Sequence, residues 1–428
     1  MHTAFISLLG IIVLLAIALA LSNNRRAINL RTVGGAFALQ FLIGAFILYV
    51  PAGQDALASV SAGVANVLEY GNSGIQFIFG GLVSEKMFDI FGGSGFVFAL
   101  RVLPIIVFFS ALVAVLYYMG IMQWVVKIIG GGLQKLLGTS QAVSMSAAAN
   151  VFVGQTEAPL VVKPYISRMS ESDLFAVMCG GLASIAGSVL AGYAGMGVPL
   201  PYLIAASFMA APGGLLFAKL MIPETEKTEE VEVFQFAEDD TPPSNVLDAA
   251  ANGASTGLNM AMNVGAMLIA FIGLIALING MIGGIGGWFG HGEITLQQIL
   301  GYVFAPLAWV IGTPWAEAQT AGSLIGQKVV VNEFVAYAEY TNMMKEGTVV
   351  LSDKTQAIIA FALCGFANLS SIAILIGGLG SLAPNRRHDI ARLGIKAVIA
   401  GLLSNLMSAT IAGLFIGLSG AAALTMGS

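Results

Sequence analysis

Two glutamates lie where a carboxylate is hard to keep. Glu157 falls in the stretch Asn150-Val-Phe-Val-Gly-Gln155-Thr156-Glu157-Ala-Pro159, and Glu333 in Val331-Asn332-Glu333-Phe334, both inside long apolar surroundings. A carboxylate at membrane depth costs about 2.5–3.5 kcal/mol on insertion scales, so it persists only in a protein-lined cavity, in a pair, or against a substrate. Two of them in two broken apolar segments point to a solute site near the bilayer midplane. Gln155 offers a donor and an acceptor together, as Glu157 does when protonated or paired. That pattern suits a neutral polar solute such as a nucleobase. Glu333 suits a pair of hydroxyls, as on a ribose. The plainer readings are a polar turn between packed helices for the first stretch and an interfacial glutamate, like Glu339, for the second.

The same segments offer ligands for a hard cation. Ser184, Gly187 and Ser188 interrupt one apolar run, and Gly365, Asn368, Ser370 and Ser371 interrupt another. Unwound backbone carbonyls with Asn and Ser oxygens replace the water around an ion such as Na+, and Asn150 adds another oxygen. Small-residue helix packing is the competing account, and for Ser188 and Ser370 it is the preferred one. Phe366 is placed to stack on a planar base, a contact of about 1–3 kcal/mol, although a lone Phe in a span is commonly core or lipid-facing. There is no Walker motif, catalytic triad, dinucleotide fingerprint or Cys/His metal spacing. His2, His291 and His388 fall near ends or loops, which excludes a histidine proton relay inside the membrane. Without a nucleotide-binding module, any transport runs on an ion gradient or downhill.

The elements that must hold these residues are membrane helices. Of the 428 residues, 57% are hydrophobic and only 10% charged, against roughly 25% charged in a soluble protein. Mean hydropathy is +0.88. Candidate spans are 3–21, 33–50, 97–119, 174–194, 199–221, 262–283, 355–380 and 391–418. Segment 5–21 lacks the basic flank and cleavage site of a signal peptide and reads as the first span. Residues 51–96, with Glu69, Glu85, Lys86 and Asp89, read as an interfacial helix plus loop. Segment 120–137, with Trp124, Lys127 and Lys135, reads as amphipathic and interfacial. An acidic linker, 224–244, divides the chain near its middle. Cys179 and Cys364 both lie in apolar segments, so no disulfide framework is expected.

A repeat is visible. Met178-Cys179-Gly180 through Ser188 echoes Leu363-Cys364-Gly365 through Ser371, and Gly138-Thr139 echoes Gly312-Thr313. Each unit reads as an interfacial helix, Gly-Thr, a hairpin with a glutamate, a Ser/Asp cap, then a span broken by Gly and Ser. Three spans separate the units, which inverts the second relative to the first. Inverted repeats with broken helices are the architecture of secondary transporters. Hairpins at 138–170 and 312–350, entered from opposite sides, leave eight crossings. The limb 141–153 is ~20 Å if helical, which reaches mid-bilayer, and Pro159 suits the first turn of its return limb. The basic groups Arg25, Arg26 and Arg31, then Lys163 and Arg168, then Arg386, Arg387 and Arg392 all fall inside when both termini are outside. The domain organisation expected is scaffold helices over 1–119, a first repeat over 120–223, linker and scaffold helix over 224–283, and a second repeat over 284–428.

At these residues the chain resembles the bacterial concentrative nucleoside transporters over nearly its whole length. The motifs are Gly154-Gln-Thr-Glu-Ala-Pro-Leu160, Val331-Asn-Glu-Phe334 and Gly365-Phe-Ala-Asn-Leu-Ser-Ser371, in the family's order. The resemblance implies an all-α membrane protein, a homotrimer, and in each protomer a scaffold and a transport domain with two opposed re-entrant hairpins that moves elevator-fashion. It implies that Gln155, Thr156 and Glu157 bind the base, with Val189, Phe366 and position 260 beside it. Met260 stands where an aliphatic residue is expected, and Met is a flexible substitute. Glu333, Asn368 and Ser371 would bind ribose hydroxyls. Asn150, Val153, Ser184 and Ile185 would hold sodium, Val153 and Ile185 through backbone carbonyls. The resulting expectation is a sodium-driven nucleoside importer in the bacterial inner membrane, not an enzyme. The alternatives are proton coupling, a channel-like pore for polar solutes, and a membrane enzyme using Glu157 and Glu333 as an acid/base pair.

Overall fold

The computed structural model describes residues 2–91, 95–226, 243–290, 292–347 and 349–419. His291 and most of the acidic linker, 227–242, lie outside the described residues. The described elements are helical. In order they are α1 (His2–Ala20), α2 (Leu30–Tyr49), α3 (Pro51–Phe79), α4 (Lys86–Ile90), α5 (Phe98–Arg101), α6 (Leu103–Tyr118), α7 (Ile121–Leu137), α8 (Gln141–Ala149), α9 (Lys163–Ile166), α10 (Glu171–Ala183), α11 (Gly187–Met196), α12 (Leu200–Met221), α13 (Val246–Gly287), α14 (Leu296–Val310), α15 (Trp315–Val330), α16 (Glu333–Glu346), α17 (Asp353–Leu363), α18 (Ser370–Leu382) and α19 (Arg387–Ser419).

Among the described residues, six stretches are long and apolar enough to cross a membrane: Leu30–Tyr49, Phe98–Tyr118, Glu171–Met196, Leu200–Met221, Val246–Gly287 and Pro384–Leu418. The remaining two of the eight expected crossings are shorter. One is α1, apolar over Phe5–Ala20, and the other is the pair α17 and α18, apolar over Ser370–Leu382. Three boundaries differ from the sequence reading. The span expected at 262–283 is part of a single helix of 42 residues, ~63 Å long, because nothing between Val246 and Gly287 breaks it. The region 51–79 is one 29-residue helix. The limb expected over 141–153 ends as a helix at Ala149, so residues 150–157 are free to form the polar tip.

The two repeats are laid out element for element. In the first, α7 leads into the hairpin limb α8. The polar tip follows, then a return limb of 3-10 helix over Ala158–Val162 and the short α9, then α10 and α11 with a break between them. Pro159 lies in the first turn of that 3-10 segment, which replaces the regular return helix expected there. In the second, α14 turns through 116° into the limb α15. The tip at Val331 and Asn332, the return helix α16, and the broken pair α17 and α18 complete the unit. The expected caps are present: Ser170 accepts from Asp173 N at 3.1 Å and Ser352 from Thr355 N at 3.4 Å. Such caps satisfy amides that the first helical turn leaves without partners.

The basic clusters gather at one end of the molecule. Arg31 donates to Lys135 O at 2.9 Å, Arg386 to Met169 O, and Arg392 to Glu171 Oε2 at 2.6 Å. Lys396 reaches Asn23 Oδ1 in the loop that carries Arg25 and Arg26. Elsewhere α6 and α13 pack backbone to backbone. A Cβ on Gly257 would lie 2.8 Å from Val107 Cα, and one on Gly253 2.8 Å from Ala111 Cα. Glycines four apart on one face permit this approach. A cavity of about 540 Å³ lies between α3 and α11, lined by Glu69, Asn72, Arg101, Ala191 and Ala194 among others, while α11 packs directly on the start of α6, where a Cβ on Gly192 would lie 3.6 Å from Ile106 Cδ1.

Candidate functional site

The first hairpin tip fits because α10 is small where the tip meets it. A Cβ on Gly181 would lie 2.8 Å from Gln155 Cβ, and one on Gly180 3.0 Å from Asn150 Nδ2. Gly187 N donates to Phe152 O at 2.8 Å, which ties the tip to the start of α11. Within the tip, Glu157 Oε2 accepts from Gly154 N at 2.9 Å. Thr156 rests against α18, where a Cβ on Gly378 would meet its Cγ2 at 2.8 Å.

The second hairpin delivers Glu333 as the first residue of α16, capped by Asn332, whose side chain accepts from Val335 N at 2.9 Å. Glu333 is buried at 4% exposure, and each of its carboxylate oxygens accepts from a side chain. Tyr193 Oη donates to Oε1 at 2.9 Å and Asn368 Nδ2 to Oε2 at 2.9 Å. Asn368 is itself fixed, because its Oδ1 accepts from Ser370 Oγ at 2.7 Å and Ser371 N at 2.9 Å. Its Nδ2 must therefore face the carboxylate. A carboxylate oxygen accepts more than one hydrogen bond, so the held group retains capacity for a solute.

The two halves of the site meet. Gln155 Nε2 lies 3.4 Å from Ser371 Oγ, at the long end of hydrogen bonding, and Gln155 Oε1 is buried without a partner. Phe366 comes close to the first tip: a Cβ on Gly154 would lie 3.9 Å from its Cε2. The breaks touch directly through Phe366 N donating to Ser184 O at 3.2 Å. Met260 of α13 contacts α11 through Ser188 Oγ at 3.5 Å from its sulfur, one residue from Val189.

Sequence matches follow the same architecture. Family models described as Na+ dependent nucleoside transporter C-terminus and N-terminus match residues 202–413 and 9–82, and one described as nucleoside recognition matches 99–200. An uncharacterized transporter of Haemophilus influenzae is 65% identical, with 98% of this chain and 99% of that one covered. The nucleoside permease NupC of Helicobacter pylori is 54% identical, covering 97% and 99%. The structure of CNTnw in an inward-facing substrate-bound state superposes with a TM-score of 0.94 at 69% identity, covering 98% of this chain and 99% of that chain.

The chain belongs to the concentrative nucleoside transporter family.

It is thus a nucleoside transporter of the membrane and not an enzyme. The residues expected for a cation site are buried and present neutral oxygen atoms. Asn150 is 1% exposed, and neither Oδ1 nor Nδ2 has a hydrogen-bond partner. A buried amide with both ends unmatched is costly unless a ligand completes it. Ser184, at the C-terminal end of α10, is 2% exposed, with only a long 3.5 Å contact from Oγ to Gly181 O. Val153 and Ile185 are buried as well. Asn, Ser and backbone carbonyls are neutral hard oxygen donors.

Three residues in and around this transporter's site escaped the sequence reading. Tyr193, near the end of α11, donates to Glu333 and packs edge-on against Phe334 and tilted against Tyr337, at ring distances of 4.7 and 4.6 Å. Lys328 and Asn405 did carry a signal, since ionisable and strongly polar groups inside apolar helices are functional candidates by default. They lie behind the breaks, joined at 2.7 Å.

Proposed function

We propose that this protein imports nucleosides by sodium symport. The observation that carries the reading is the convergence of two hairpin tips and two helix breaks on one buried polar set. Gln155 keeps an unmatched acceptor there, and Glu333 is a carboxylate aimed by two donors. Gln155, Thr156 and Glu157 take the base edge, with Val189, Phe366 and Met260 against its faces and rim. Glu333, Asn368 and Ser371 take the ribose hydroxyls. Asn150 and Ser184 side chains with the Val153 and Ile185 carbonyls take Na+, and the matched family model carries sodium dependence in its description.

The basic clusters gathered at one end support a cytoplasmic location for that end, and with it the reading of both termini outside, in a bacterial inner membrane. The hairpins and broken spans form the moving unit. The cavity of about 540 Å³ between α11 and α3 supports a loosely filled boundary along which an elevator motion runs. Residues 1–119 and the helix after the linker supply scaffold, the two repeats span 120–223 and 284–428, and the protomer assembles as a trimer. Crosslinking in membranes tests the trimer, and labelling of cysteines placed near each terminus tests the orientation.

The deciding experiment is uptake of labelled uridine into proteoliposomes under an inward Na+ gradient, a pH gradient, or neither. Accumulation under Na+ alone is expected. Accumulation under the proton gradient alone removes the sodium assignment of Asn150 and Ser184 and keeps the substrate class. Equilibration without accumulation favours the pore.

A further inference from the structure

Lys328 on α15 and Asn405 on α19 are almost fully buried and belong to neither the solute nor the ion set. Lys328 Nζ donates to Asn405 Oδ1 and to Ala362 O, both at 2.7 Å. Asn405 Nδ2 donates to Ala183 O at 2.6 Å and to Cys364 O at 2.8 Å. Ala183 is the last residue of α10, Ala362 lies in the last turn of α17, and Cys364 follows it. Carbonyls at a helix C-terminus lack donors within the helix and carry partial negative charge. Two such ends brought together need donors between them. One ammonium and one amide supply them here.

The lysine also decides which way the amide points. An ammonium only donates, so Oδ1 must face Lys328, and both Nδ2 hydrogens are left for the two broken spans. A flipped amide would set Oδ1 against two carbonyl oxygens. The fit allows no side chain at Gly365, where a Cβ would lie 2.3 Å from Asn405 Oδ1.

We infer that Lys328 and Asn405 are a positioning pair through which occupancy of the ion site at the first break is transmitted to the nucleoside site at the second. The inference rests on the sodium-symport reading above. Ser184 and Ile185, the proposed ion ligands, directly follow Ala183. Phe366 and Asn368, the proposed nucleoside contacts, directly follow Gly365 or lie within four residues of Cys364. The shared amide ties Ala183 to Cys364. Two further bonds brace the link: Phe366 N to Ser184 O at 3.2 Å, and Leu369 N to the carbonyl of Val329, beside Lys328, at 3.1 Å. An ion that fixes Ser184 and Ile185 thereby orders the segment that carries Phe366 and Asn368. Linkage makes the effect reciprocal.

The test is uridine affinity by calorimetry on the purified protein in nanodiscs, in saturating sodium chloride and in choline chloride. Wild type is compared with Lys328→Met, which keeps the chain length and frees the amide. The sodium-induced gain in affinity is expected to fall at least fivefold in the variant, with affinity in choline changed less than threefold. An unchanged gain, or equal weakening in both salts, overturns the inference and leaves only a structural role. Absence of any sodium gain in the wild type overturns the symport reading and this one with it. Should the variant not fold, hydrogen exchange on the wild type decides. Sodium alone, without nucleoside, is expected to slow exchange across residues 364–371, and no change there refutes the link.

Discussion

Replacing Glu333 by Gln isolates what the carboxylate does. The change is one the pocket accepts. Asn368 Nδ2 is locked as a donor because Ser370 and Ser371 hold its other end, so the glutamine must turn its oxygen to Asn368 and its nitrogen to Tyr193. The Tyr193 hydroxyl then reverses and accepts. What is lost is charge. Hydrogen bonds to charged groups are worth about 1.5–3 kcal/mol and neutral ones about 0.5–1.5, so each ribose hydroxyl loses about 1–1.5. Two hydroxyls give about 2–3 kcal/mol, a rise in Kd of roughly 30- to 150-fold. Calorimetric titration of uridine and of 2′,3′-dideoxyuridine measures it. Uridine should weaken by that factor while the dideoxy compound, with no hydroxyls to lose, changes less than threefold. Equal weakening of both ligands, or a uridine Kd within threefold of wild type, refutes the assignment of Glu333 to the ribose.

Four further outcomes are expected. Asn150→Ala should raise the half-saturating sodium concentration for uridine uptake at least tenfold, roughly the 1.4 kcal/mol of one good ligand; an unchanged sodium curve removes Asn150 from the ion site. Gly365→Ala should cost about 1–3 kcal/mol as overpacking against the Asn405 amide, seen as a lower melting temperature of the purified protein; an unchanged Tm contradicts the close approach. Lys219→Met leaves Asp173 buried without its 2.6 Å partner, and breaking such a pair costs about 3–5 kcal/mol. Thermal unfolding checks that, with Asp173→Asn added to recover part of the loss. Tyr193→Phe keeps the edge-on and tilted ring contacts and deletes one donor to Glu333, so uridine affinity by calorimetry should fall by up to about 1.5–3 kcal/mol, with no effect on the dideoxy compound.

The boundary between what sequence and structure each contributed follows the range of the forces involved. Apolar runs of membrane length, Pro and Gly at breaks, and Ser/Asp caps are local signals, so the crossings, the hairpins and the doubled order of elements were readable from the chain. Glu157 and Glu333 were readable because a carboxylate in an apolar run is costly wherever the chain later goes. Lengths failed where no local signal exists: nothing in the sequence marks Ala149 as the end of α8 or joins 246–261 to the span that follows. What the sequence could not supply is which polar groups face one another. Tyr193 and Glu333 are 140 residues apart, and Asn405 lies 222 residues from the carbonyl it holds. Such pairs follow from the packing of α10, α11, α17 and α19, which depends on glycines whose value appears only when another helix arrives. The sequence alone therefore determined the class of molecule and which polar residues lie in its apolar segments. Only the tertiary structure decided that Tyr193 and Asn368 aim Glu333, and that Lys328 and Asn405 join the two breaks, because orientation and partnership are properties of side chains brought together from distant parts of the chain.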